Sequence, residues 1–169
     1  MAAMLKAQRV VTLALALALG LVGACGGGTE KTPSEPPRRI VERFVAAIGS
    51  EDLAAAVKDL IPEAAVIANA VPRKYGDLSK HVETNRRKAV GTLKAVQHDL
   101  LYAKASADEI AISGVNFGLT EGEETGVLGV RIEATLSYGE TTRIVKLFTY
   151  DLGGRLWIIG PIEWAPPSD

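Results

Sequence analysis

Cysteine is almost missing: Cys25 is the only one in 169 residues, so no disulfide can close within the chain. Nor can a lone thiol build a metal site without partners, and histidine is equally scarce, with His81 and His98 far from it in sequence. A bilayer-crossing helix needs about 20 apolar residues, and the run Val10 to Val22 stops at thirteen. No charge of one sign dominates; without Lys6 and Arg9 the balance is 17 basic against 20 acidic side chains, formally −3. That balance gives no reason to expect nucleic acid as a partner. No internal repeat and no motif for a cofactor is present, so none is expected.

What is present begins with order. Lys6 and Arg9 precede the short apolar run, and small residues follow it, as in an export signal that the mature chain lacks. The junction Val22-Gly23-Ala24-Cys25 resembles the lipobox of bacterial lipoproteins. That resemblance implies a signal peptide over 1–24, cleavage before Cys25, and diacylglycerol alkylation of its sulfur, with acylation of the new amino terminus. Each buried methylene contributes roughly 0.8 kcal/mol, so two or three chains would hold the protein on a membrane. Val22 and Ala24 also suit an ordinary leader peptidase, which would release a soluble chain with a free thiol. A lipidated chain would sit in the outer membrane facing the periplasm of a Gram-negative cell, or on the outer face of a Gram-positive plasma membrane.

Residues 25–37 contain no large apolar side chain after the cysteine, so the composition predicts a flexible tether with a reach on the order of 20 Å. Residues 38–165 read as a single domain and 166–169 as a tail. Ser34 is positioned to cap a helix entered through Pro36 and Pro37, with Ile40, Val41, Phe44, Val45 and Ile48 on one stripe before Gly49. Ser50 to Asp52 opens a second helix bearing Leu53, Val57, Leu60 and Ile61. Pro62 to Val71 either continues as helix or breaks. Leu78, Val82, Asn85, Ala89, Leu93, Val96 and Leu100 then recur at helical spacing, with one polar member.

The second half alternates as strands do. Leu128, Val130, Ile132, Ala134, Leu136 and Tyr138 share one side of Val127 to Tyr138. Gly139-Glu140 suits a type II′ turn, which opposes Ala134 to Val145, Glu133 to Lys146 and Arg131 to Phe148, the last as a cation over a ring. A two-residue turn at Gly153-Gly154 would place Tyr150 opposite Trp157 and Phe148 opposite Ile159; a three-residue loop would flip that assignment. A shorter strand over 109–117 with a bulge at Gly114 precedes these, and Gly118 to Gly126 reads as an acidic surface loop.

Helices followed by an antiparallel meander form an α+β layout with the helices on one sheet face. Ile40 to Ala56 and the closing strand Gly153 to Gly160 resemble the nuclear transport factor 2-like, cystatin-like superfamily. The resemblance implies N-terminal helices packed on a curved antiparallel sheet, cone-shaped, around a cavity that serves as an enzyme site, a binding pocket or a dimer platform in different members.

The residues lean toward binding. Enzymatic members of isomerase, cyclase or dehydratase type use a carboxylate or a histidine–aspartate pair in the cavity, whereas the core face of these strands is aliphatic and Glu133 is on the other face. Asp151 and Arg143, at strand ends, are the groups that could reach a cavity rim, and no catalytic residue is assigned. His81 and His98 lie about 100° apart around the long helix and cannot share a ligand. Asp108, Glu109, Glu121, Glu123 and Glu124 match no calcium loop, and no metal site is expected. Arg73, Lys74, Lys80, Arg86, Arg87, Lys88 and Lys94 form a basic segment, either a face for anionic headgroups, glycans or a partner, or a solubilising helix surface. In the two-residue-turn register, Ile144, Phe148, Tyr150, Trp157 and Ile159 form an apolar patch on the sheet side away from the helices, either a contact surface or one covered by the tether, the C-terminal tail or the curvature of the sheet. The expected function is therefore a membrane-anchored envelope domain that binds a protein partner, a second copy or a small apolar ligand without catalysis, with a cavity enzyme as the alternative.

Overall fold

The computed structural model describes residues 32–71, 77–121 and 127–167. Cys25, Arg73, Lys74, Glu123 and Glu124, with the expected export signal, most of the expected tether and the last residues of the expected tail, lie outside them. Helices α1 (Pro37–Ile48), α2 (Leu53–Leu60), α3 (Ala64–Ala70) and α4 (Leu78–Tyr102) come first. Strands β1 (Ala111–Glu121), β2 (Leu128–Tyr138), β3 (Thr141–Leu152) and β4 (Arg155–Ala165) follow, in an open antiparallel sheet of order β1-β2-β3-β4. Pro62 breaks the chain between α2 and α3, where proline removes a helical donor.

One core lies between the helices and one sheet face. Ile40, Phe44, Val57, Leu93 and Val96 meet Val130, Ala134, Val145 and Ile158, all fully enclosed. Among the described residues the buried polar side chain is Thr149, whose hydroxyl donates to the Val130 carbonyl at 2.9 Å. The polar member of the α4 stripe ties that helix to the sheet, because Asn85 Nδ2 donates to the Ile159 carbonyl at 2.9 Å.

The first hairpin register is as the alternation predicts, with Arg131 opposite Phe148, Glu133 opposite Lys146 and Ala134 opposite Val145. Only the first turn residue, Gly139, has a positive φ (53°), the signature of a type II′ turn. The second hairpin departs from expectation. Tyr150 does face Trp157, but the register shifts between Leu147 and Thr149, where Leu147 pairs with Ile162. Phe148 therefore does not pair with Ile159. Pro161 cannot donate to a ladder, so Ile159, Gly160 and Pro161 loop out opposite Phe148. A Cβ on Gly160 would sit 3.0 Å from Phe148 Cβ, close enough that the Phe148 side chain would have to give way by a few tenths of an ångström.

Two further expectations change at the ends of elements. β1 runs on through Glu121, because β2 supplies partners from Arg131 to Leu128, so Gly118 to Glu121 belong to the sheet and not to the acidic loop. Ser34 does not cap α1: Pro36 holds that position, and the Ser34 backbone N–H donates to Asp151 Oδ2 at 2.6 Å instead. Glu35 is fastened as well. Its Oε2 accepts from Arg43 Nη2 at 3.1 Å and from the Leu156 N–H at 2.7 Å. The end of the expected tether is thus docked on the domain.

Candidate functional site

The sheet face turned away from the helices carries an open groove of about 590 Å³. β2 contributes Arg131 and Glu133, β3 contributes Lys146 and Phe148, and β4 contributes Pro161 and Glu163. Phe148 stands at its apolar end because the bulge puts Gly160 beneath the ring. The four charged side chains alternate along the strands as the pleat requires, two of each sign. Lys146 and Glu133 approach to 3.7 Å with both side chains half exposed, a pair worth about 0–1 kcal/mol that a ligand can displace.

The five-residue patch expected on this face is present in part. Ile144, Phe148, Tyr150, Trp157 and Ile159 are all half-buried. Tyr150, Trp157 and Ile159 pack against the margin of the core. Lys146 stands between Ile144 and Phe148 on the same face, so the patch is not continuous. Phe148 is the member that opens into the groove, with Tyr150 edge-on to it at 5.6 Å between ring centres. The cation over a ring on this side is Arg155 on Trp157, at 4.3 Å, rather than Arg131 on Phe148.

The basic segment divides. Lys80, Arg87 and Lys94, seven residues apart, share the outer side of α4 with Lys88 beside them, all exposed. Arg86 turns inward and its Nη2 donates to the Ile61 carbonyl at 3.1 Å, closing the end of α2. At the C-terminal end of that outer side, Leu101 and Tyr102 are 74% and 79% exposed. His98 is also exposed, edge-on to Tyr102, while His81, likewise exposed, lies 3.1 Å from Asn85 Nδ2. Asp108 and Glu109 belong to a capped turn, in which Glu109 Oε2 accepts from the Ser106 N–H at 2.8 Å.

A cluster that sequence reasoning passed over sits where α4 ends on the core side of the sheet. Asp99 Oδ2 accepts from Tyr138 Oη at 2.7 Å, Arg143 Nε at 2.9 Å and Trp164 Nε1 at 3.1 Å. Its Oδ1 accepts from Arg143 Nη2 at 3.1 Å. Burial pushes the Asp99 carboxyl up, but hydrogen bonds from Arg143, Tyr138 and Trp164 outweigh it and hold the group below the usual carboxylate range. Burial, then the Asp99 hydrogen bond, pushes the Tyr138 phenol well above its usual range. An acid held ionised and a phenol held neutral are a lock, not an acid–base pair poised for transfer near neutral pH. Arg143, expected at a rim, is instead half of this lock, and Asp151 is spent on Ser34. The available signal was electrostatic: a carboxylate in the last turn of a helix opposes the helix dipole and needs a cation.

Comparison with protein-family models, curated proteins and solved structures finds no match for this chain. The groove and the basic outer side of α4 are therefore read on their own chemistry.

Proposed function

We propose that this chain is an exported lipoprotein, anchored through Cys25, whose domain is a non-catalytic binding module of the nuclear transport factor 2-like, cystatin-like kind. The observation that carries the reading is the groove at Phe148, where an aromatic floor is ringed by Arg131, Glu133, Lys146 and Glu163. Such a site suits an extended protein segment with side chains of both signs, because each charge on the rim has a counterpart to select and the ring supplies buried area. The envelope is the expected setting, on the outer membrane facing the periplasm or the outer face of a plasma membrane. Lys80, Arg87 and Lys94 on the outer side of α4 complement anionic headgroups nearby.

Two measurements test this. The full chain, used as bait in detergent-solubilised membranes, should capture a partner that is lost with Phe148→Glu; capture unchanged by that substitution overturns the groove as the binding site. Intact-mass analysis of membrane-extracted protein should show a chain beginning at Cys25 with its acyl groups. A Cys25→Ser chain should leave the membrane fraction, and an unmodified terminal cysteine would overturn the anchor.

A further inference from the structure

We propose that the outer side of α4 docks on an anionic phospholipid bilayer, with Lys80, Arg87, Lys88 and Lys94 on the headgroups and Leu101 and Tyr102 in the acyl boundary. This deepens the proposed function and rests on it for one point, that a membrane lies within reach; the contact is made by the helix and not by Cys25. Taking 100° per residue, Lys80, Arg87 and Lys94 lie within about 50° of the line opposite the buried stripe of Val82, Ala89, Leu93, Val96 and Leu100. Lys88 flanks them, and all four are exposed. Among the described residues no ion pair engages any of the four, so their charge is not spent inside the fold. Of the two carboxylates on α4, Asp99 is taken by Arg143 and Glu83 stands at one margin. The outward side is therefore net positive from Lys80 to Lys94, a length of about 21 Å at 1.5 Å per residue.

The apolar end of the helix selects a lipid surface over a soluble polyanion. Leu101 and Tyr102 close the last turn of α4, 74% and 79% exposed, more than any other large apolar side chain among the described residues. A dissolved anion would satisfy the cations and leave both in water. A bilayer interface takes lysine and arginine at the headgroups, and a leucine and an amphipathic tyrosine ring just beneath. Because the other side of α4 packs on the sheet and the groove opens on the sheet's far face, docking stacks helix, sheet and groove outward from the membrane. Phe148 then faces away from the lipid, open to a partner. Near an anionic surface each lysine or arginine contributes roughly fivefold to partitioning. Such a face is weak for a chain in free solution and strong enough to orient one already held at the surface.

The test reconstitutes the full chain, purified from membranes, into vesicles of phosphatidylcholine alone or of phosphatidylcholine with equimolar phosphatidylglycerol. Both carry a phospholipid with a photoreactive diazirine in its acyl chain, and crosslinked tryptic peptides are located by mass spectrometry. With phosphatidylglycerol the peptide 95–104, which holds Leu101 and Tyr102, should be labelled, and the peptide 147–155, which holds Phe148, should not. Lys80→Gln with Arg87→Gln should lower the yield at 95–104 roughly 25-fold, at fivefold for each cation, with circular dichroism confirming that the fold is kept. Leaving out phosphatidylglycerol should lower it at least as far. No labelling at 95–104, labelling equal in the two lipids, a yield indifferent to the substitutions, or labelling at 147–155 in place of 95–104 overturns the proposal. So does retention of the chain on a heparin matrix with no labelling at 95–104, which would make the face a site for a soluble polyanion. Flotation with pure phosphatidylcholine reads the anchor separately: a chain that fails to float there loses the anchorage through Cys25, while phosphatidylglycerol-dependent labelling at 95–104 still upholds the docking face.

Discussion

Replacing Asp99 with alanine is expected to lower the free energy of unfolding by roughly 2–3 kcal/mol, measured by urea titration. Three donors lose their acceptor at once: the Tyr138 hydroxyl, the Arg143 guanidinium and the Trp164 indole N–H. A hydrogen bond to a charged group contributes about 1.5–3 kcal/mol, and stranding a partly buried cation adds a penalty. Water offsets some of it, because the Asp99 and Arg143 side chains are 28% and 25% exposed. Tyr138→Phe, which removes one donor and leaves the ion pair, should cost about 1 kcal/mol. A loss below about 0.5 kcal/mol for Asp99→Ala would show that the cluster does not hold α4 to the sheet.

The same cluster predicts how stability follows pH at both ends. Asp99 titrates below its ordinary value in the folded protein, so it binds a proton more readily when unfolded. Its contribution is complete above the unfolded value, about 3.9, and is lost as pH falls through the lower folded value. Tyr138 is displaced the opposite way, upward. Its contribution is complete below about pH 10 and is lost as pH rises toward the folded value. Asp99→Asn should therefore flatten the acid limb of the stability profile below about pH 4, and Tyr138→Phe the alkaline limb above about pH 10. An unchanged profile in either variant would refute the corresponding assignment.

Phe44→Ala is expected to cost about 3–5 kcal/mol, the range for emptying a large aromatic site in a core. Phe44 is wholly enclosed, and its ring lies 6.4 Å from that of Trp164, which stacks on Tyr138 at the same separation. The cavity would release Trp164 as well as α1. Combining Phe44→Ala with Asp99→Ala should therefore cost less than the sum of the two, since both loosen the same indole. Strict additivity in urea unfolding would show that Trp164 does not connect them.

Much of this was legible in the residues. Three- and four-residue spacing of apolar side chains located α1, α2 and α4, and period-two alternation with a glycine-first turn set the β2–β3 register. What escaped was decided by groups that act across elements. Gly160-Pro161 shifted the β3–β4 register by denying the ladder a donor, and periodicity alone carries no trace of which partner residue absorbs a bulge. Asp99 stood out in no sequence pattern because its three donors come from β2, β3 and β4. Gly118 to Glu121 looked like loop because their strand character depends on having Arg131 to Leu128 beside them. The groove was half visible: Phe148 and Arg131 were placed on one face, but only the bulge shows why Phe148 and not Trp157 opens into it.

The clasp at Ser34 and Glu35 has a mechanical meaning under the proposed anchorage through Cys25. Both hold the same cross-strand pair, Ser34 through Asp151 of β3 and Glu35 through Leu156 of β4. Tension arriving along the N-terminal segment would enter the domain at the turn end of the β3–β4 hairpin before it reached the first turn of α1. Two short hydrogen bonds and the Arg43 ion pair would then act as a strain relief, so that the load falls on the sheet that carries the groove rather than peeling the helix that covers the core.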